Sequence, residues 1–188
     1  MLSRVEKLEA ALAQTECDAV LVTNLKNIYY LTGFSGTEAT VFISKNSRIF
    51  LTDARYTLIA KGVVQGFDIV ESRDAIGEIV KIIADDKLQK IGFEDEISYA
   101  YFKMLESAFS AYELVPMTAF IENLRMIKDE QEIATIRKAC QISDQAFLDV
   151  LDFIKPGETT ELAVMNFLDA RMRQLGASGA SFDFIIAS

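Results

Sequence analysis

"ATVFISKNSRIFLTD", residues 39–53, sets two β-rich runs, ATVFIS (39–44) and RIFLTD (48–53), around the short polar break KNS. Aromatic and β-branched residues flanking so short a break predict an antiparallel β-hairpin. Upstream, Ser3 with Glu6 matches a capping box, and Val5, Leu8 and Leu12 fall on one helical face ahead of the strand AVLVT (19–23). Downstream, RYTLIAKGVV reads as a helix up to a Gly66 turn, DIVES (68–72) as a strand, AIGEIVKIIADD as a helix capped by Asp74, and KIGFE (90–94) as a further strand. YAYFKMLESAF, with Ser98 as its cap, and the strand YELVPM continue the series, which ends near Met126. Strands alternating with helices predict βα units, and the hairpin inserts one antiparallel pair. The expected class is α/β, with helices against the faces of a mixed sheet.

Past residue 128 the pattern changes. Asp129 with Glu132 repeats the capping box and opens the longest helix, in which Ile133, Ile136, Cys140, Phe147, Val150, Leu151 and Ile154 form an apolar stripe. It stops at Pro156-Gly157; Thr159 or Thr160 then caps ELAVMNFLDARMRQL, which Gly176 can end in a left-handed conformation. SGASFDFIIAS reads as a turn and a strand. Stripes that wide need a partner surface, and a closing strand needs a neighbour to satisfy its backbone groups. The expectation is that the chain continues beyond SFDFIIAS (181–188).

Composition narrows the chemistry. A net charge of −9 opposes binding to the phosphate backbone of nucleic acids, and 51% hydrophobic residues suffice for a packed core. No apolar run has the length of a membrane span or the form of a signal peptide, so a cytoplasmic location is expected. Cys17 and Cys140 are too few and too far apart for a disulfide framework or a thiolate zinc site. The sequence contains no histidine. Ser/His/Asp and Cys/His nucleophilic machinery and His-containing zinc motifs therefore cannot be assembled from it.

Several stretches carry two readings each. TGFSGTEAT (32–40) is a ligand or anion loop, through Gly33 and Gly36, or an ordinary mobile connection. In TDARY (52–56), Asp53 caps the following helix, while Arg55 and Tyr56 point to a ligand or a neighbouring domain. Tyr29, Tyr30 and Phe34 line a pocket mouth or pack in the core. The carboxylates of EDE (94–96) and DEQE (129–132) read as solvated helix starts, and Asp149, Asp152 and Asp169 as exposed helix faces.

Taken together, DAVLVTNLKNIYYLTGFSG, LTDARYTLIA, IGFEDEISY, LVPMTAFIENLRMIKDEQEIATIRKA, PGETTE and GASGASFDFIIAS resemble, in order and spacing, the proline-specific aminopeptidases and prolidases of the creatinase-related pita-bread metallopeptidases. The resemblance implies a three-layer creatinase/prolidase N-terminal domain over residues 1–127. Residues 128–188 are then the helical first segment of a truncated α+β catalytic domain.

The implied activity is hydrolysis of the Xaa-Pro bond by two divalent ions, commonly manganese, whose ligands all lie beyond residue 188. On that basis no residue here is catalytic or a metal ligand, and the chain alone is expected to be inactive. Phe182 matches a family position in the apolar pocket for the substrate's proline ring, with its packing as core the other reading. The loop from Gly33 to Thr40 resembles one that leans over the partner subunit's active site in related dimers. Phe34, Arg55 and Tyr56 are accordingly substrate-proximal or structural. The resemblance further implies a homodimer and proline-containing peptide substrates. The same fold also resembles that of non-catalytic pseudo-peptidases that bind other proteins.

Overall fold

Ser3 caps α1 (Arg4–Leu12) in a complete capping box: its hydroxyl accepts from the Glu6 N–H and the Glu6 carboxylate accepts from the Ser3 N–H. In this computed structural model, which describes residues 3–187, the chain then runs through β1 (Ala19–Val22), α2 (Leu25–Thr32), β2 (Thr40–Ser44), β3 (Arg48–Thr52), α3 (Thr57–Val63) and β4 (Asp68–Glu71). It continues with α4 (Ala75–Asp86), β5 (Lys90–Glu94), α5 (Tyr99–Ala108), β6 (Glu113–Met117), α6 (Phe120–Met126), α7 (Glu130–Phe153) and α8 (Glu161–Gln174). Two compact units result, Met1–Ile127 and Lys128–Ser188.

In the first unit six strands form one sheet in the order β4-β3-β2-β1-β5-β6. The hairpin is β2 against β3, with Thr40 opposite Leu51, and β1 pairs antiparallel with β2. The remaining neighbours, β3 with β4, β1 with β5 and β5 with β6, are parallel. The sheet is therefore mixed, and β2 alone runs against the rest.

Alternation along the strands divides the side chains between two cores. Val20, Val22, Val41, Ile43 and Phe50 face α1, α2, α3 and α6, where Leu8, Ile28, Ala60 and Ile121 meet them. Ala19, Leu21, Phe42, Leu51, Ile91 and Phe93 face α4 and α5, where Ile79, Ile83, Leu105 and Phe109 meet them. Each fully buried Phe, Leu or Ile contributes roughly 1.5–3 kcal/mol. Because both faces are covered, the central strands read as nearly unbroken apolar runs. Gly92 leaves room for Met117: a Cβ there would stand on the Met117 sulfur.

The second unit is slighter. Asp129 and Glu132 close a capping box on α7, and the Thr160 hydroxyl accepts from the Ala163 N–H to cap α8. Ala146, Val150 and Leu168 are its buried core; Phe153 stacks on Phe167 at 4.5 Å, and Arg171 reaches Asp149 at 2.5 Å. Most of the α7 stripe stays exposed, including Ile136, Phe147, Leu151 and Ile154.

Two expectations need correction. No strand forms over residues 181–187: among the described residues this unit offers no other strand to share a ladder, so Phe184 and Ile186 fold onto the helix pair instead. Ser188 lies outside the described residues. In addition, residues 120–126 form a helix entered through Ala119, whose φ of 51° is left-handed, where no helix was expected. Among the described residues no helix is long and apolar enough to cross a membrane.

Candidate functional site

The loop between α2 and β2 is held at both ends. Gly33 ends α2 with φ 76°, its N–H donating to Tyr29 O at 2.8 Å, a conformation that favours glycine. The Thr32 hydroxyl donates to Ile28 O at 2.7 Å and accepts the Phe34 N–H at 3.1 Å, which aims the chain out of the helix. Phe34 is 1% exposed and meets Phe50 and Tyr56 edge-on, with ring centroids at 5.0 and 5.6 Å. Its ring packs in the core of the first unit. Gly36 is required by close approach: a Cβ there would run into the Phe34 ring and come within 2.9 Å of Tyr56. Beyond it, Thr37 Oγ1 and the Tyr56 hydroxyl lie 2.8 Å apart, and buried Thr52 donates to Glu38 O at 2.6 Å. These bonds remove the freedom of an ordinary connection.

The facing turn is built on Asp53, though not as a helix cap. Its carboxylate accepts from the Arg55 N–H at 2.9 Å and from Arg55 Nε and Nη2 at 2.9 and 2.6 Å. Turning back two residues on in this way forms an Asx turn, so α3 begins only at Thr57, after Tyr56 and without a side-chain cap. Asp53 reaches the helix through its backbone carbonyl, which accepts from Thr57 N at 3.1 Å.

Bonding to the Arg55 side chain holds the Asp53 carboxyl below the usual range and raises Arg55 in turn. Arg55 stays 68% exposed, its guanidinium 5.3 Å above the Tyr56 ring. Water screens a pair this open, so it adds little to stability. Bonding to Thr37 likewise lowers the Tyr56 phenol. Loop and turn thus present a guanidinium, a phenol and the Thr37 hydroxyl on one clamped surface. Such groups bind a carboxylate or carbonyl; they contain no nucleophile with an adjacent base.

The carboxylates behave differently from their sequence reading in one case. Glu94 is not a solvated helix start: it is 8% exposed and accepts from Thr23 N and Asn24 N, each at 2.7 Å, and from Asn27 Nδ2 at 2.6 Å. Asn27, fully buried, also donates to Glu122 Oε1 at 2.5 Å and accepts from Arg125 Nη1 at 2.7 Å. This network joins β5, α2 and α6, and sequence reasoning passed over it. Its one local signal is an Asn within the apolar NIYYL run of α2.

Asp129 and Glu132 serve as caps, whereas Asp149 and Asp169 form ion pairs with Arg171 and Arg173. Tyr30 is buried, Tyr29 is 56% exposed, and Phe182, in the second unit, is 80% exposed. Among the described residues, no group of three or more His, Cys, Asp or Glu side chains could hold a metal ion.

Comparison with known proteins gives a consistent result. Residues 4–127 match the Creatinase/Prolidase N-terminal domain, and residues 134–188 match Metallopeptidase family M24. The uncharacterized peptidase YqhT of Bacillus subtilis (strain 168) is 38% identical over 190 residues, covering 98% of this chain and 53% of that protein. The chain thus spans about half the length of the curated relatives it matches. Among solved structures, the Xaa-Pro dipeptidase from Bacillus anthracis has a TM-score of 0.89 at 36% identity, over 96% of this chain and 51% of that one. The Xaa-Pro aminopeptidase from Streptococcus thermophilus has a TM-score of 0.63 at 56% identity, over 65% of this chain and 95% of that one.

Proposed function

Because the chain belongs to the creatinase/prolidase N-terminal domain family and runs on into metallopeptidase family M24, we propose that it is the N-terminal portion of a proline-specific metallopeptidase. The substrate is the Xaa-Pro bond, either at the N-terminus of longer peptides or in dipeptides. The observation that carries this reading is the succession of the two families along one chain, either side of the junction at Ile127 and Lys128. Residues 1–127 then act as the N-terminal domain and residues 128–188 as the first segment of the catalytic domain.

Divalent ions, with manganese the proposed metal, activate the attacking water in such a reaction. The residues of this chain do not fit them: the sequence has no histidine, and the described residues gather no ligand set. No hydrolytic step therefore runs through these residues, and the chain by itself is inactive in this proposal. What it supplies is recognition. Arg55, Tyr56 and the Gly33–Thr40 loop lie near substrate, and the exposed ring of Phe182 offers an apolar face to the proline of an Xaa-Pro bond. The protein works as a homodimer in the cytoplasm.

A second reading is a non-catalytic module that binds other proteins, which the same fold would serve equally. One assay separates them. The 188-residue chain and, where the gene continues it, the full-length product are given Xaa-Pro dipeptides and tripeptides with manganese or with chelator. The expected result is metal-dependent cleavage by the full-length product and none by the chain. Cleavage by the chain alone would overturn its inactivity, and a full-length product that never cleaves would favour the binding module.

A further inference from the structure

The chain leaving β1 returns through α2 to β2 on one side, whereas the chain leaving β5 passes through α5 to β6 on the other. In open α/β sheets, the crevice outside the carboxyl ends of strands that part in this way is the usual place for a small ligand. A cleft of about 370 Å³ opens at that point, lined by Thr23 and Leu25 after β1, Ile97 and Tyr101 after β5, and Thr37 and Glu38 before β2.

Its walls are pre-set. Thr37 is tied to Tyr56 at 2.8 Å, and the Glu38 carbonyl accepts from buried Thr52 at 2.6 Å, so the exposed Glu38 side chain stands on a fixed loop. Glu94, the last residue of β5, is locked by the N–H groups of Thr23 and Asn24.

The sign of the ligand follows from what is already satisfied. Helix N-termini at such a crevice ordinarily bind an anion. Here Asn24 Oδ1 accepts the Lys26 N–H, Ser98 Oγ accepts the Tyr101 N–H, and the Glu94 carboxylate accepts the N–H groups of Thr23 and Asn24 just ahead of α2. An incoming anion would meet the Glu38 carboxylate and no lining Lys or Arg, with the buried Glu94 carboxylate behind Thr23.

We propose that this crevice binds a small primary ammonium group, such as the amino end of an amino acid or short peptide, with Glu38 as its counter-charge and Thr23 and Tyr101 as acceptors. An ammonium presents three donors, and these three oxygens supply three acceptors. The Thr23 hydroxyl gives its proton to Glu94 at 3.3 Å, which turns its lone pairs outward. Burial first, and then the fields of Glu38 and Glu94, push the Tyr101 phenol up, keeping it neutral and able to accept. Glu38 belongs to the Gly33–Thr40 loop that the peptidase reading places near substrate, but the ammonium site rests on the cleft itself and needs no hydrolysis, so binding can be read without activity.

The test is a nuclear magnetic resonance titration of the 188-residue chain with L-alaninamide, N-acetyl-L-alaninamide and inorganic phosphate. Saturable shifts at Thr23, Glu38 and Tyr101 are expected with L-alaninamide alone. Glu38→Gln, on an exposed side chain, is expected to weaken binding about tenfold, the scale of one hydrogen bond to a charged group. Tyr101→Phe should weaken it less. Absence of saturable shifts, equal binding of the acetylated compound or phosphate, or unchanged affinity in Glu38→Gln would each overturn the proposal.

Discussion

Helices α4 and α7 carry the same kind of sequence and meet different fates. Both place isoleucines at helical spacing behind an Asp cap. In α4, Ile79 and Ile83 are fully buried because a sheet face lies beneath them. In α7, Ile136, Phe147 and Leu151 remain about half exposed, and only Ala146 and Val150 are enclosed, against α8. An apolar stripe states that a helix needs a cover; the burial energy comes only from the surface that provides one.

The largest test of that contrast is a pair of truncations. Phe50→Ala empties a fully buried site beside Phe34 and should cost about 3–5 kcal/mol in urea denaturation. Phe147→Ala, at a 60% exposed ring, should stay within about 0.5 kcal/mol. Equal losses would break the comparison.

Next in size is Asn27→Ala. It strips partners from Glu94, Glu122 and Arg125 together and should cost about 2–3 kcal/mol. Hydrogen exchange should show the loss first in Phe120–Met126, the helix that the network ties to the sheet.

Tyr56→Phe removes one hydroxyl bond to Thr37 in an open setting, for which about 0.5–1 kcal/mol is expected by the same denaturation. Its clearer sign is faster exchange in the Gly33–Thr40 loop with the strands unchanged.

The smallest effect belongs to the second unit and depends on pH. Bonds from Arg171, and then from Gln145, hold the Asp149 carboxyl below its usual range. Its folded pKa therefore lies under the unfolded value of about 3.9, so the contribution is complete above that pH and fades as pH falls through the folded pKa. In acid titrations followed by circular dichroism, wild type and Asp149→Asn should differ at pH 6 and converge as pH falls through the folded pKa of Asp149. A difference that persists in acid would assign Asp149 another role.

Much of the fold could be read directly because its signals are short-range. The capping boxes at Ser3 and Asp129, the caps at Asp74, Ser98 and Thr160, and the hairpin around KNS all form where side-chain type and spacing indicate. Asp53 shows the limit of such signals. One carboxylate next to a helix start serves equally as a cap or an Asx turn, and the guanidinium two residues on decides it. Of the candidate site, Gly33, Gly36, Arg55 and Tyr56 stood out by type, but the clamp from Thr37 to Tyr56 spans 19 residues and leaves no mark in either segment.

Local sequence thus settled where helices begin, where the hairpin turns and which side chains share a face, since each depends on groups within a few residues of one another. Tertiary structure alone decided the strand order, the burial of Glu94 on backbone donors some 70 residues away, and whether residues 181–187 would be a strand. The reason is physical: a strand, a buried charge and an apolar stripe are each completed by partners distant in the chain, and their stability does not exist until those partners arrive.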